Sequence, residues 1–127
     1  MERRLSALLD TSVVIATDER GDLDLPDTAA ISVITLGEMR AGVLRAADDR
    51  VRAARARRLA SVRAFPALPV DEDVADRYGE TLAAARDLGR SAKTTDLLII
   101  AAAGGRTLYT LDAAQAGLAR DLRVPLG

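Results

Sequence analysis

The chain of 127 residues has 18 Lys and Arg against 19 Asp and Glu, a net charge of −1, and neither Cys nor His; 49% of it is hydrophobic and 29% charged. Disulfides, zinc sites built from Cys or His, a Cys nucleophile, a Ser-His-Asp triad and a histidine general base are excluded, so any chemistry falls to carboxylates, hydroxyls, Arg or Lys. The length predicts one domain over residues 1–127, and the composition predicts that it folds.

Leu5 to Leu9 reads as a short buried strand ending at Asp10, and Thr11-Ser12 opens a helix through Ala16. Asp18 to Asp27, with Gly21 and Pro26, reads as a polar loop. Ala29 to Val33 is the next strand. Thr35 with Glu38 three residues on has the form of a capping box, ahead of Leu36, Met39, Val43 and Leu44 at helical spacing. Asp48-Asp49 starts a helix from Val51 to about Val62, Pro66 breaks it, and Ala67 to Val70 is a third strand. Asp71 or Asp73 caps a long helix to Leu88, stopped by Gly89, with Val74, Tyr78, Leu82 and Ala85 as its buried stripe. Ser91 to Thr95 leads into an apolar helix, Asp96 to Ala103, closed by Gly104-Gly105. Thr107 to Leu111 is a fourth strand, Ala114 to Leu122 a short helix, and Arg123 to Leu126 an edge strand. Short strands, apolar on both faces and alternating with helices, predict an α/β fold: a three-layer α/β/α sandwich with a short parallel sheet.

The longest apolar run, Leu97 to Ala103, is far shorter than the about 20 residues that span a bilayer, and residues 5–16 lack the pattern of a signal peptide. The cytoplasm is therefore the expected compartment, with no membrane partner. With only Phe65, Tyr78 and Tyr109 aromatic, base stacking on an aromatic platform is disfavoured.

In open parallel sheets, sites form beyond the carboxyl ends of the strands. Asp10 and Asp112 directly follow predicted strands, Glu38 lies in the first turn of a helix, and Asp96 heads the apolar helix. Each has a competing plain role: Asp10 as a helix cap, Glu38 as partner of Thr35, Asp96 as a dipole complement, Asp112 as a turn residue. Four carboxylates on one rim would repel one another and raise their own pKa values, and a hard divalent cation relieves that cost. Mg²⁺ is the expected cofactor, with Mn²⁺ as its substitute.

The segments Leu8-Leu9-Asp10-Thr11-Ser12, Ile31-Ser32-Val33-Ile34-Thr35-Leu36-Gly37-Glu38, Thr95-Asp96-Leu97-Leu98-Ile99-Ile100-Ala101 and Leu108-Tyr109-Thr110-Leu111-Asp112 closely resemble the PIN-domain ribonucleases. Among these the chain looks like the VapC toxins of type II VapBC toxin–antitoxin pairs. The resemblance runs in order along nearly the whole chain, with successive acids separated by 28, 58 and 16 positions. It implies that Asp10, Glu38, Asp96 and Asp112 form a catalytic, metal-holding quartet. Thr11, Ser12 and Thr110 match the family's small hydroxyl positions, which orient carboxylates or water. The implied activity is Mg²⁺-dependent endoribonucleolytic hydrolysis, in which the metal polarises a phosphoryl oxygen and activates water to leave a 5′-phosphate and a 3′-hydroxyl. A VapB-like antitoxin and a homodimer are the implied partners. The chain departs from the family at Gln115 and Ala116, where many relatives carry Asp and Phe, and at Leu111, where many carry Arg. A neutral amide at 115 is expected to weaken any second metal.

Near-neutrality hides a local excess. From Arg40 to Arg63 there are eight Arg against Asp48 and Asp49. On the helix they occupy, Arg55 and Arg58 fall beside the apolar stripe and, with Lys93, are candidate contacts for RNA or antitoxin; the competing reading is a solvated helix surface. A degenerate PIN module or a receiver-like module without catalysis is the alternative, although a receiver would carry two acids near the first strand and a Lys after the last. The Asp-x-Asp of haloacid-dehalogenase phosphohydrolases is absent at Asp10-Thr11-Ser12, and there is no phosphate-loop or GxGxxG fingerprint.

Overall fold

A computed structural model describes residues 5–21 and 24–127. Of the predicted loop from Asp18 to Asp27, Asp22 and Leu23 lie outside the described residues. The chain runs β1 (Ala7–Leu9), α1 (Thr11–Arg20), β2 (Ala29–Ser32), α2 (Val33–Leu44), α3 (Asp49–Val62), β3 (Ala67–Leu68), α4 (Glu72–Asp87), α5 (Thr94–Ala103), β4 (Thr107–Tyr109) and α6 (Ala113–Asp121).

The four strands form one parallel sheet in the order β3-β2-β1-β4. Leu8 lies between Ala30 and Leu108 in register, and Ile31 pairs with Ala67. Side chains alternate across the pleat, so each strand feeds two cores. Leu8 and Leu108 meet Leu97, Ile99, Ile100 and Leu118 on the α4–α5–α6 face. Ala7, Leu9 and Ile31 meet Val13, Val14, Met39, Val43, Leu59 and Val62 on the α1–α2–α3 face. This is the predicted three-layer sandwich. Leu8, Leu9, Ile31, Ile99 and Leu108 are all fully buried, each worth about 1.5–3 kcal/mol of transfer free energy.

Several boundaries differ from the sequence reading, each for a local reason. Helix α1 continues four residues past Ala16, to Arg20, where Gly21 adopts φ 68° and its N–H closes onto the Thr17 carbonyl at 2.8 Å. Asp18 and Glu19 are therefore helical rather than loop. The Thr35–Glu38 capping box does not form. Strand β2 stops at Ser32, which caps α2 by accepting from the Ile34 N–H at 3.1 Å, and Thr35 falls inside the helix, fully buried. The third strand keeps only Ala67 and Leu68, since Pro69 cannot donate to a ladder. Strand β4 ends at Tyr109, and the predicted edge strand from Arg123 to Leu126 reduces to a single parallel bridge between Leu108 and Leu126. Helix α5 begins at Thr94, which leaves Asp96 in its first turn. The expected caps Asp48 and Asp71 both form, each accepting an N–H at 2.9 Å.

Candidate active site

The order β3-β2-β1-β4 sends the first two crossovers to one side of β1 and the last strand to the other. The switch point thus lies between β1 and β4, and the crevice beyond their carboxyl ends is the place such sheets hold ligands. Asp10 follows β1 and Asp112 lies three residues beyond β4. The Asp10 N–H donates to the Tyr109 carbonyl at 2.9 Å, which continues the ladder one step past β1.

Asp10 is buried, 8% exposed, and occupies the N-cap position of α1. Its carboxylate does not cap. Oδ2 accepts instead from the Ser12 hydroxyl and the Thr110 hydroxyl, each at 2.8 Å. Those hydroxyls in turn accept from the N–H groups of Leu111 at 3.0 Å and Asp112 at 3.1 Å. Each hydroxyl has a single proton, already given to Asp10, so the 3.3 Å approach of Ser12 Oγ to Thr110 Oγ1 is a contact and not a hydrogen bond. Two backbone amides thus act through two hydroxyls to fix one carboxylate.

A second relay holds Glu38. Thr11 Oγ1 donates to Glu38 Oε1 at 2.9 Å and lies 3.0 Å from Thr35 Oγ1. With the Thr11 proton spent on Glu38, Thr35 must be the donor to Thr11. In sequence Thr35 has the form of a cap; in the fold its hydroxyl supports Thr11 instead. The available signals were its place in an apolar run and its i, i+3 relation to Glu38, which puts both on one helix face. Thr35→Val, which keeps the shape and deletes the donor, is expected to cost about 1–2 kcal/mol in urea unfolding.

Asp96 and Glu38 both have carboxyls raised above their usual values. For Glu38, desolvation by burial contributes most. The Thr11 hydrogen bond opposes it, the charges of Asp10 and Asp96 add to it, and Lys93 opposes it more weakly. For Asp96, burial again leads, followed by the charges of Asp10 and Asp112, against Lys93. Asp10 and Asp96 thus act on Glu38, and Asp10 and Asp112 on Asp96, which strings the four acids, with Lys93, along one rim. Asp112 is exposed and also caps α6, its Oδ1 accepting from Ala114 N–H at 2.9 Å and Gln115 N–H at 3.1 Å. Among the described residues no three acids stand close enough to clasp one ion as their side chains lie. All donors are hard oxygens, and Mg²⁺ commonly takes one or two carboxylates and completes its shell with water. The donor set fits such an ion.

Arg55 and Arg58 do not reach freely into solvent. Arg55 Nη1 donates to the Gly42 carbonyl at 2.7 Å, while Arg58 pairs with Asp18 at 3.0 Å and Glu19 at 3.3 Å. They still line a hollow of about 260 Å³ with Thr11, Ile15, Glu38, Met39 and Gly42, directly beside the rim.

The PIN domain family model matches residues 7–123. The chain belongs to the PIN-domain family. It is 42% identical to ribonuclease VapC5 of Mycobacterium tuberculosis over 106 residues, 81% of this chain and 78% of that protein. It is 44% identical to ribonuclease VapC8 of the same species over 99 residues, 76% of this chain and 88% of that one. A crystal structure of VapBC-5 from Mycobacterium tuberculosis, a member of the VapBC family of toxin–antitoxin systems, superposes with a TM-score of 0.78 at 39% identity, covering 89% of this chain and 90% of that chain. Membership in the PIN family sets aside the receiver-like alternative. Among the described residues no helix is long and apolar enough to cross a membrane.

Proposed function

We propose that this PIN domain is a ribonuclease toxin of the VapC type, which hydrolyses RNA phosphodiester bonds and is neutralised by a VapB-type antitoxin. The observation that carries the reading is the fixed carboxylate of Asp10 at the switch point, whose charge acts on Glu38 and Asp96, with Asp112 acting on Asp96, in a chain more than 40% identical to two named ribonucleases. The unit is taken as one domain over residues 1–127 that acts as a homodimer in the cytoplasm.

Asp10, Glu38, Asp96 and Asp112 would hold Mg²⁺, or Mn²⁺ in its place. When bound, the ion would neutralise their repulsion, polarise a phosphoryl oxygen and activate water for in-line attack. Ser12 and Thr110 keep Asp10 from turning away, and Thr11 with Thr35 does the same for Glu38. Hydrolysis forms a bond from water oxygen to phosphorus and breaks the bond from phosphorus to the 3′ oxygen. The leaving oxygen gains a proton, giving a 3′-hydroxyl, and the 5′ side keeps the phosphate. Glu38 and Asp96, whose carboxyls burial raises above their ordinary values, hold a proton more tightly than exposed carboxyls do and are the candidates of this rim for moving one.

Lys93 is assigned to a substrate phosphate. Arg55 and Arg58 border the path to the rim, and antitoxin carboxylates or RNA phosphates would have to compete with the internal partners of Arg58. Purified chain incubated with mixed RNA is expected to cleave it in Mg²⁺, to stop in EDTA and to resume on adding Mn²⁺; a matching VapB-type protein is expected to suppress the cleavage. Equal RNA integrity with and without the chain would leave a non-catalytic PIN module as the better description.

A further inference from the structure

The hollow of about 260 Å³ beside the rim differs in chemistry from the rim itself. Ile15 of α1 and Met39 of α2 give it apolar walls, Glu38 joins it to the acids, and Arg55 and Arg58 come to it from α3. Arg58 is occupied with Asp18 and Glu19. Arg55 is not. Its Nη1 donates to the Gly42 carbonyl at 2.7 Å, and Gly42 also lines the hollow, so the guanidinium stands at that wall. One bond fixes the group and leaves its Nε and Nη2 edge without a partner among the described residues. That edge offers two parallel donors.

Gly42 supplies a second, independent observation. It lies inside α2, three residues after Met39 and four after Glu38, on the helix face that those two present to the hollow. Its backbone is ordinary right-handed helix, and no neighbouring element comes within 4 Å of where a Cβ would stand. Glycine inside a helix is destabilising relative to alanine. Neither conformation nor close packing requires it here. A side chain at this position would lean over Glu38 and Met39 and take up the hollow.

The fitting occupant is flat, with apolar faces for Ile15 and Met39 and paired acceptors for Arg55. A phosphate or a carboxylate would meet the charge of Glu38 in the same hollow and gain nothing from its apolar walls. A nucleobase meets every condition, and guanine, with O6 and N7 side by side, is the base whose acceptors match an arginine edge. No aromatic side chain lines the hollow, so the base edge and not stacking supplies the selectivity. The volume falls below the about 300–1,000 Å³ of pockets for drug-sized ligands, which suits a single base. We infer that this hollow is the subsite for a guanine base of the RNA strand beside the cut, with Arg55 as its specificity-determining residue and Gly42 as the residue that keeps it open. The inference rests on the reading of the chain as a ribonuclease.

The test maps the cut sites of the unaltered chain and of Gly42→Leu in one mixed RNA with Mg²⁺. The unaltered chain is expected to cut with guanosine enriched at least about 5-fold at one fixed position beside the cut, the low end of what one bidentate base contact discriminates. Gly42→Leu fills the hollow and leaves all four acids in place. It is expected to unfold at no lower a temperature and to cut without that enrichment. Enrichment of another base, no enrichment, or enrichment that survives in Gly42→Leu overturns the inference; in the last case, lost suppression by a VapB-type protein would give the hollow to the protein partner instead. If Gly42→Leu does not fold or does not cut, the decision passes to the unaltered chain in EDTA. Met1 and Met39 are its two methionines. The Met39 methyl NMR signal is expected to shift on adding guanosine and to stay in place with uridine, and any other pattern overturns the inference. An unaltered chain that cuts no RNA overturns the ribonuclease reading itself and this inference with it.

Discussion

Asp10→Asn is expected to lower RNA cleavage about 10³-fold while the chain stays folded, as checked by initial rates beside a circular-dichroism melt. The factor corresponds to losing about 4 kcal/mol of electrostatic stabilisation at the reacting phosphate. The fold survives because the substituted side chain keeps an acceptor oxygen for Ser12 and Thr110. Removing the charge also relieves repulsion with Glu38 and Asp96, so the stability cost stays below about 1 kcal/mol. A variant that cleaved RNA at the native rate would remove Asp10 from the mechanism.

Asp96→Asn should lose cleavage by a similar factor, yet melt at a higher temperature than the unaltered chain at pH 7 without divalent cations. The Asp96 carboxyl is raised by burial and by the charges of Asp10 and Asp112, so the folded state holds its proton more tightly than the unfolded state does. Between the unfolded and the folded value the folded state carries more protons, so stability falls as pH rises through that window. Above it the penalty is complete, and below it the penalty is absent. The advantage of Asp96→Asn should therefore vanish as pH is lowered through the window. Mg²⁺ should then reverse the order, since an ion that binds only the folded, fully acidic rim stabilises it by mass action. Melting curves at several pH values, with and without Mg²⁺, check every part. An unaltered chain more stable than the variant at neutral pH without cations would contradict the electrostatic account.

The parallel sandwich was legible in the sequence because short apolar strands ending at Asp10 and before Asp112 leave few other solutions. Asp96 was legible as a first-turn residue of α5, whereas Glu38, expected in a first turn, falls in the second turn of α2 because that helix starts at Val33. The relays behind them were not. Thr35 in the sequence Ile31-Ser32-Val33-Ile34-Thr35 reads as a cap, and only the choice of Ser32 as the actual cap turns it inward toward Thr11. Nor could the spacing foretell that Arg58 would close onto Asp18 and Glu19, which are 40 and 39 residues away. That pairing depends on α1 continuing to Gly21 and on how α1 and α3 pack, both settled by tertiary structure. Asp112 shows that competing roles need not exclude each other: one oxygen caps α6, and the charge of the same carboxyl still acts on Asp96.

The central claim is that this rim hydrolyses RNA with a divalent cation and without a ribose nucleophile. The most direct measurement is the end chemistry of a defined single-stranded RNA after incubation with the purified chain, in Mg²⁺ and in EDTA. The account predicts 5′-phosphate and 3′-hydroxyl ends in Mg²⁺ and intact RNA in EDTA. Ends bearing a 2′,3′-cyclic phosphate, formed equally in EDTA, would contradict it.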